Sequence, residues 1–208
     1  IGAYTPAAVD ANDQCGGAVA VDGTRAVVGA RVTDSIATAA GAAYLLDISN
    51  PASPAVIAPL IPSALSGGDF FGTAVAIDGG VVLVGSNGQD DQQRGAVYAF
   101  DAQTGAQLSR FTPSNIEQGD LFGQAISIEN GVAAIGAPFE NFPKNFIFDF
   151  NNAGAAYLVD YSNPAQPSVL ARIEAEDPDD GDEFGFSIDI ASGLVVVGAP
   201  GENEPPIA

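Results

Sequence analysis

One short pattern, repeated four times at a fixed spacing, constrains this chain more than anything else in it. The anchors are Cys15-Gly16, Phe71-Gly72, Phe122-Gly123 and Phe184-Gly185. Thirteen residues beyond each anchor glycine stands a second glycine in an apolar setting: Gly29-Ala30, Gly85-Ser86, Gly136-Ala137-Pro138 and Gly198-Ala199-Pro200. Three copies then carry a GAAY or GAVY element, Gly41 to Tyr44, Gly95 to Tyr98 and Gly154 to Tyr157, with Asp47, Asp101 and Asp160 three residues after each Tyr. Self-similarity at such a period is the mark of a repeat architecture, in which each unit buries its apolar faces against its neighbours.

The local chemistry of each unit is that of antiparallel strands. VAVDG, VAIDG, ISIEN and SIDIA are short, rich in Val and Ile and partly alternating, while AVVGA, VLVGS, AAIGA and VVVGA are continuously apolar. The pairs between them, Gly23-Thr24, Gly79-Gly80, Asn130-Gly131 and Ser192-Gly193, suit tight two-residue hairpins of the primed turn types. AYTPAAVDANDQCG at Ala3 to Gly16 aligns without gaps on RFTPSNIEQGDLFG at Arg110 to Gly123, so a complete unit reads as lead-in strand, FG strand, GA strand and GAAY strand. The fold expected is all-β: about four four-stranded β-propeller blades, the last incomplete, forming one propeller domain over 1–208 or a segment of a larger propeller. The units run over 3–47, 57–101, 110–160 and 172–208. The fourth stops before its GAAY element, which is read as a chain that continues further or a strand donated by another chain. A start at Ile1 with neither Met nor a signal peptide likewise reads as a processed product or a piece.

Charge narrows the partners. Against 26 acidic side chains stand 6 basic ones, Arg25, Arg31, Arg94, Arg110, Lys144 and Arg172, for a formal charge of −20. Nucleic acid and anionic membrane surfaces both need clustered Lys and Arg, so neither is expected as a partner. VIAPLIPSAL is too short and too interrupted by Pro59 and Pro62 to span a bilayer. Such acidity suits a saline extracellular medium. A single Cys15 excludes an internal disulfide, and the lack of His removes imidazole from any catalytic or metal role.

These residues resemble the FG-GAP repeat family, the blades of integrin alpha-subunit propellers and of many bacterial secreted proteins. Phe71-Gly72 with Gly85, Phe122-Gly123 with Gly136-Ala137-Pro138, and Phe184-Gly185 with Gly198-Ala199-Pro200 carry the resemblance; the first copy departs from it at Cys15. It implies an extracellular or cell-surface propeller used in adhesion and recognition, often calcium-bound. The family's Asp-rich calcium loop lies between the FG and GA elements, where this chain has only two residues. The chain is therefore read as the bacterial variant without that loop.

Two stretches stand out as candidate sites. In EAEDPDDGDEFG, the carboxylates of Asp177, Asp179, Asp180 and Asp182 are the candidates for calcium, set against a reading as a solvated acidic loop. No other cofactor is expected. The insertion PFENFPKNFIFDFNN separates Gly136 from Gly154 by 18 residues where the other units use 12 and 10, and holds five of the twelve Phe. Phe139, Phe142, Phe146 and Phe148 are its candidate binding residues, set against a core-capping role, and the alternation of Phe146, Phe148 and Phe150 suggests an extra strand or hairpin. No Ser-His-Asp set, phosphate loop or zinc spacing is present. The leading expectation is a non-enzymatic, secreted adhesion, scaffolding or recognition module meeting a protein or polysaccharide at the cell surface, with self-assembly through an open blade edge. The alternatives are a subunit of a surface layer or filament assembled by strand donation, and a carbohydrate-active enzyme or its accessory domain using paired carboxylates.

Overall fold

The computed structural model describes residues 10, 12–62, 64–88, 93–144 and 148–202, and among them finds strands but no α-helix. The first sheet has the order β1 (Cys15–Asp22), β2 (Arg25–Ala30), β3 (Ala42–Asp47), β4 (Ala55–Leu60). The second repeats it with β5 (Phe71–Asp78), β6 (Val81–Ser86), β7 (Ala96–Asp101) and β8 (Gln107–Phe111). The third begins with β9 (Ile126–Glu129) and β10 (Val132–Ala137). A separate hairpin, β11 (Phe142–Lys144) with β12 (Phe148–Phe150), follows, and then β13 (Ala155–Asp160) and β14 (Ser168–Ile173) complete the sheet. β15 (Ser187–Ala191) and β16 (Leu194–Gly198) form the two strands of the fourth sheet among the described residues.

The first two strands of every blade are joined as the turn pairs require, by two residues: Asp22 faces Arg25, Asp78 faces Val81, Glu129 faces Val132 and Ala191 faces Leu194. In three of the four turns both central residues have positive φ, as at Gly79 and Gly80 (56° and 89°) and at Asn130 and Gly131 (51° and 78°). That is the type I′ geometry, whose twist matches the strands it joins. Two residues leave no room for a metal-binding loop there.

The fourth strand sits elsewhere than the sequence alignment suggests. Instead of pairing with the FG strand that follows it, Gln107–Phe111 folds back on β7, with Val97 opposite Phe111 and Tyr98 opposite Arg110. β4 pairs with β3 and β14 with β13 in the same way. The reason is local. The connection after β7 closes through Gly105 N–H donating to Asp101 O (2.8 Å) and Asp101 N–H donating to Ala106 O (2.9 Å), so the next strand returns antiparallel at once. Each lead-in strand among the described residues is thus the outer strand of the blade before, and the sequence units straddle the blade boundaries.

Consecutive blades pack through their FG strands: β5 lies against β1 and β2, β9 against β5, and β15 against β9 and β10. The core is therefore a series of layers between sheets. Val27, Leu45 and Leu60 of the first blade meet Val75, Ile77 and Val82 of the second. On its other side the second blade sets Leu83 and Val97 against Ile126, Ile135 and Phe122 of the third. The anchor rings of Phe71 and Phe122 are fully buried and stand edge-on to the Tyr of their own blade, Phe71 to Tyr98 at 5.4 Å and Phe122 to Tyr157 at 5.5 Å between centroids, while Phe184 is half-buried. Such a pair contributes about 0.5–1.5 kcal/mol beyond the area it buries.

What fixes the spacing of these layers is main chain on main chain. The N–H of Phe71, Phe122 and Phe184 donates to the carbonyl of Ala40, Arg94 and Ala153 in the preceding blade, at 2.9–3.0 Å. A β-carbon placed on Gly41, Gly95 or Gly154 would overlap the carbonyl oxygen of Phe71, Phe122 or Phe184. One placed on Gly29, Gly85 or Gly136 would overlap that of Gly72, Gly123 or Gly185. Both glycines of the repeat are required because another blade occupies the space a side chain would take. Replacing Gly136 by Ala is expected to lower unfolding free energy by about 3 kcal/mol, the scale of overpacking a filled interior. Gly79→Asn, in an open turn where the third blade itself carries Asn130, should change it by less than about 0.5 kcal/mol. Urea denaturation of both variants checks this; equal effects would show that the joint tolerates a side chain.

Candidate functional site

At the end of each blade opposite the two-residue turns, two loops meet: the one after the GA strand and the one leading into the blade's own FG anchor. A single Asp ties them. Asp13, Asp69, Asp120 and Asp182 each stand three residues before an anchor glycine. Through Oδ2 each accepts the backbone N–H three residues upstream, of Asp10, Ser66, Glu117 and Asp179, at 2.6–2.7 Å. The carbonyls of the same four residues accept from Val32, Gly88, Phe139 and Gly201 in the loop after the GA strand. The residue after each Asp, namely Gln14, Phe70, Leu121 and Glu183, has φ of 51–57°, which swings the chain into the anchor.

In the third blade these loops enclose a polar cavity of about 350 Å³ lined by Asn115, Glu117, Asp120, Glu140, Asn141, Arg172 and Glu174. Glu140 is buried at its centre. Its Oε2 accepts from the Tyr157 hydroxyl (2.6 Å) and its Oε1 from Arg172 Nε (2.8 Å), while Asn115 Nδ2 donates to the same Tyr157 oxygen (2.6 Å). Arg172 also pairs with Glu174 at the rim. Burial and the Glu140 charge push the Tyr157 phenol well above its ordinary range, so it stays a donor. Asp120 is pushed up to about 6, first by burial and then by the Glu140 and Glu117 charges, against the opposing Glu117 N–H. The cavity thus offers several carboxylate oxygens, one guanidinium and two amides, a set suited to hydroxyl-rich or cationic groups.

The first blade holds a cavity of about 250 Å³ at the same repeat positions, lined by Asp10, Asp13, Thr33, Asp34, Ser35, Tyr44 and Ile61. Counted from the glycines, Thr33 replaces Glu140, Asp34 replaces Asn141 and Ile61 replaces Glu174. Pro59, opposite Tyr44, replaces Arg172, opposite Tyr157. The Thr33 hydroxyl is buried there with no hydrogen-bond partner among the described residues. In the second blade the equivalent loop includes Asn87, which accepts from Thr73 Oγ1 (3.0 Å) and donates to Gln124 Oε1 (2.7 Å), a polar tie to the third blade.

Of the residues singled out in sequence, Asp182 belongs to this system. It is buried in the blade joint and its pKa is raised, mainly by burial and further by Glu202, Asp179 and Asp177. Asp177, Asp179 and Asp180 are exposed, and Asp180 Oδ1 accepts the Asn151 N–H (3.0 Å). Among the described residues no three His, Cys, Asp or Glu side chains are grouped to hold a metal ion. The aromatic insertion forms the expected hairpin, with Phe142 opposite Phe150 and Lys144 opposite Phe148. Phe146 lies outside the described residues. Phe139 is half-buried beside Asp120, and its N–H donates to the Asp120 carbonyl (3.4 Å). Sequence reasoning missed Glu140, Arg172 and Tyr157 as a site, and it passed over the Asp three residues before each anchor glycine, a signal present in all four copies.

Blades joined through FG and GA glycines, each with its loops gathered at one end, define an array of propeller blades. The chain belongs to the FG-GAP repeat family, whose model matches residues 4–46, 56–100, 106–159 and 168–206. Among solved structures, the computationally designed Ika4 protein is similar, with 14% identity and a TM-score of 0.56 over 92% of this chain and 88% of that one, a likeness of fold alone. Comparison with curated proteins finds no match.

Because the folded pKa of Asp120 lies above its unfolded value of 3.8, the native state holds the extra proton between pH 4 and pH 6. Asp120 therefore favours the native state below this window, and that contribution is lost as pH rises through about 6. Asp120→Asn keeps an oxygen for the Glu117 N–H and removes the titration. Subtracting the variant's stability from the wild type's, measured by urea at each pH, should leave a difference that falls from pH 4 to 6.5; a flat difference would place Asp120 in an ordinary solvated setting.

Proposed function

We propose that this chain is an extracellular, non-enzymatic recognition module in which the FG-GAP blades act as a rigid rack for polar cavities. The observation that carries the reading is that the cavity of the third blade recurs at the same repeat positions in the first, with Glu140 and Arg172 exchanged for Thr33 and Pro59. The main-chain scaffold is kept while the lining changes, which is how a recognition surface diversifies. The net acidity and the carboxylate-rich lining favour a polysaccharide or a basic protein surface.

A carbohydrate-active reading has one specific observation behind it. Asp120, holding its proton to about pH 6, shares a cavity with Glu140, and glycoside cleavage uses an acid beside a second carboxylate. Against it, both Glu140 oxygens are already committed to Tyr157 and Arg172.

The chain should be retained on at least one of a panel of neutral and acidic polysaccharides and immobilised basic peptides, leaving the polymer uncleaved. Glu174→Gln at the rim should weaken that retention about tenfold with the unfolding midpoint preserved. Retention on none of the probes removes the recognition reading, and release of reducing sugar would replace it with the enzymatic one.

A further inference from the structure

We infer that the third-blade cavity seats the primary ammonium of a lysine side chain from a partner protein, held on the open oxygen of Asp120. The inference rests on the recognition reading above and narrows it to one chemical group. Asp120 lines the cavity with a side chain only 2% exposed. The Glu117 N–H takes its Oδ2 (2.7 Å), and its Oδ1 accepts from no described residue. Its counterpart in the fourth blade differs, because Asp182 Oδ1 is sealed in the joint. An acceptor left unmatched at the wall of a cavity is a place for a donor from outside.

The rest of the lining selects the kind of donor. Four carboxyl groups, of Glu117, Asp120, Glu140 and Glu174, stand around one guanidinium, which favours a cation. Their oxygens are offered singly. Tyr157 and Arg172 take both oxygens of Glu140, Glu174 pairs with Arg172, and Asp120 has one to give. The exposed Glu117 supplies a second, and Asn115, whose amide nitrogen donates to Tyr157, keeps its carbonyl oxygen for a third. A guanidinium binds best to two oxygens of one carboxylate, whereas an ammonium carries three donors that each find a different group. Among the described residues no three acidic side chains are grouped to hold a metal ion, which leaves the larger organic cation. Depth then favours lysine over an amino sugar. A charge at the tip of a slim four-carbon stem reaches a carboxylate this buried, while an amine fixed to a ring brings the ring with it.

Proton and ammonium compete for the same oxygen. Asp120 faces Glu117 on its own loop, Glu140 after β10 and Arg172 on β14, with Glu174 beyond Arg172 at the rim. Burial first, then the Glu140 and Glu117 charges, hold its proton to about pH 6, against the Glu117 N–H and Arg172. The lysine ammonium is charged throughout this range. Binding therefore releases a proton from Asp120 and strengthens as pH rises through about 6.

Nα-acetyl-lysine methylamide, titrated into the 208-residue chain at about pH 7 in about 0.15 M NaCl and followed by amide NMR, should shift the Glu117 and Asp120 resonances saturably, with half-saturation on the order of 1 mM. At about pH 5 the affinity should be about tenfold lower. Asp120→Asn should weaken binding about tenfold and remove its pH dependence, while Asp22→Asn, which takes the same charge from an exposed strand end, should leave both unchanged. Glu117→Gln, a change at an exposed rim position, should weaken binding about threefold and serves where Asp120→Asn lowers the unfolding midpoint. No saturable shift, an equal response to Nα-acetyl-arginine methylamide, or an affinity independent of pH overturns the inference. Cavity resonances that answer to glucosamine oligomers and not to the lysine probe overturn it as well, while leaving the recognition reading in place.

Discussion

A carbonyl oxygen lying where a β-carbon would stand is the contact on which this molecule depends. It occurs at Gly41, Gly95 and Gly154 under the anchor Phe carbonyls, and at Gly29, Gly85 and Gly136 under the anchor glycine carbonyls. Side-chain packing alone allows neighbouring sheets to slide, since apolar layers are non-directional. Main-chain contact does not: paired with the N–H of Phe71, Phe122 and Phe184 donating across the same joint, it sets both separation and register. The edge-on Phe and Tyr rings then fill the layer that this spacing defines. The first blade shows how much of this is separable. Its anchor ring is replaced by Cys15, yet its own two-residue turn and four-stranded order are unchanged.

The acidic residues divide according to which end of a blade they occupy. At the hairpin end, Asp47, Asp101 and Asp160 are half-buried, accept hydrogen bonds from Ser49, Thr104 and Ser162 and are held by them below the usual carboxylate range. At the loop end, Asp120 and Asp182 accept instead from the backbone three residues upstream and are buried in the joint, and burial raises them. One side chain thus closes solvated turns at one rim and stitches loops at the other. What differs is the neighbouring blade, which excludes water from only one of them.

Much of the fold was legible because the repeat writes it in main-chain terms. Two glycines thirteen residues apart with a two-residue turn between them leave a hairpin as the natural solution, and the GAAY element supplies the third strand. The fourth strand was assigned to the wrong neighbour because Gln107–Phe111 has the same composition whichever strand it pairs with; only the tight return at Asp101 and Gly105 decides. The cavity was not legible for a different reason. Glu140, Arg172 and Tyr157 lie far apart in sequence, and the positions of Glu140 and Arg172 hold Thr33 and Pro59 in the first blade, so comparison of copies suppresses the signal instead of amplifying it. The Asp before each anchor was readable, but it was seen as part of a charge run in the one copy where its neighbours are also acidic. The hairpin at Phe142–Phe150 followed from alternation, as expected of a strand pair outside the main sheets.

The two-residue turns at Gly23, Gly79, Asn130 and Ser192 are joins that cannot grow. A residue inserted there would break a two-residue geometry matched to the strand twist. At the opposite end of each blade the loops differ in length, and the longest, between Gly136 and Gly154, has become a hairpin of its own. The largest insertion the described blades hold thus sits at the end away from the two-residue turns, where a loop grafted after any GA strand would share the outlook of that hairpin.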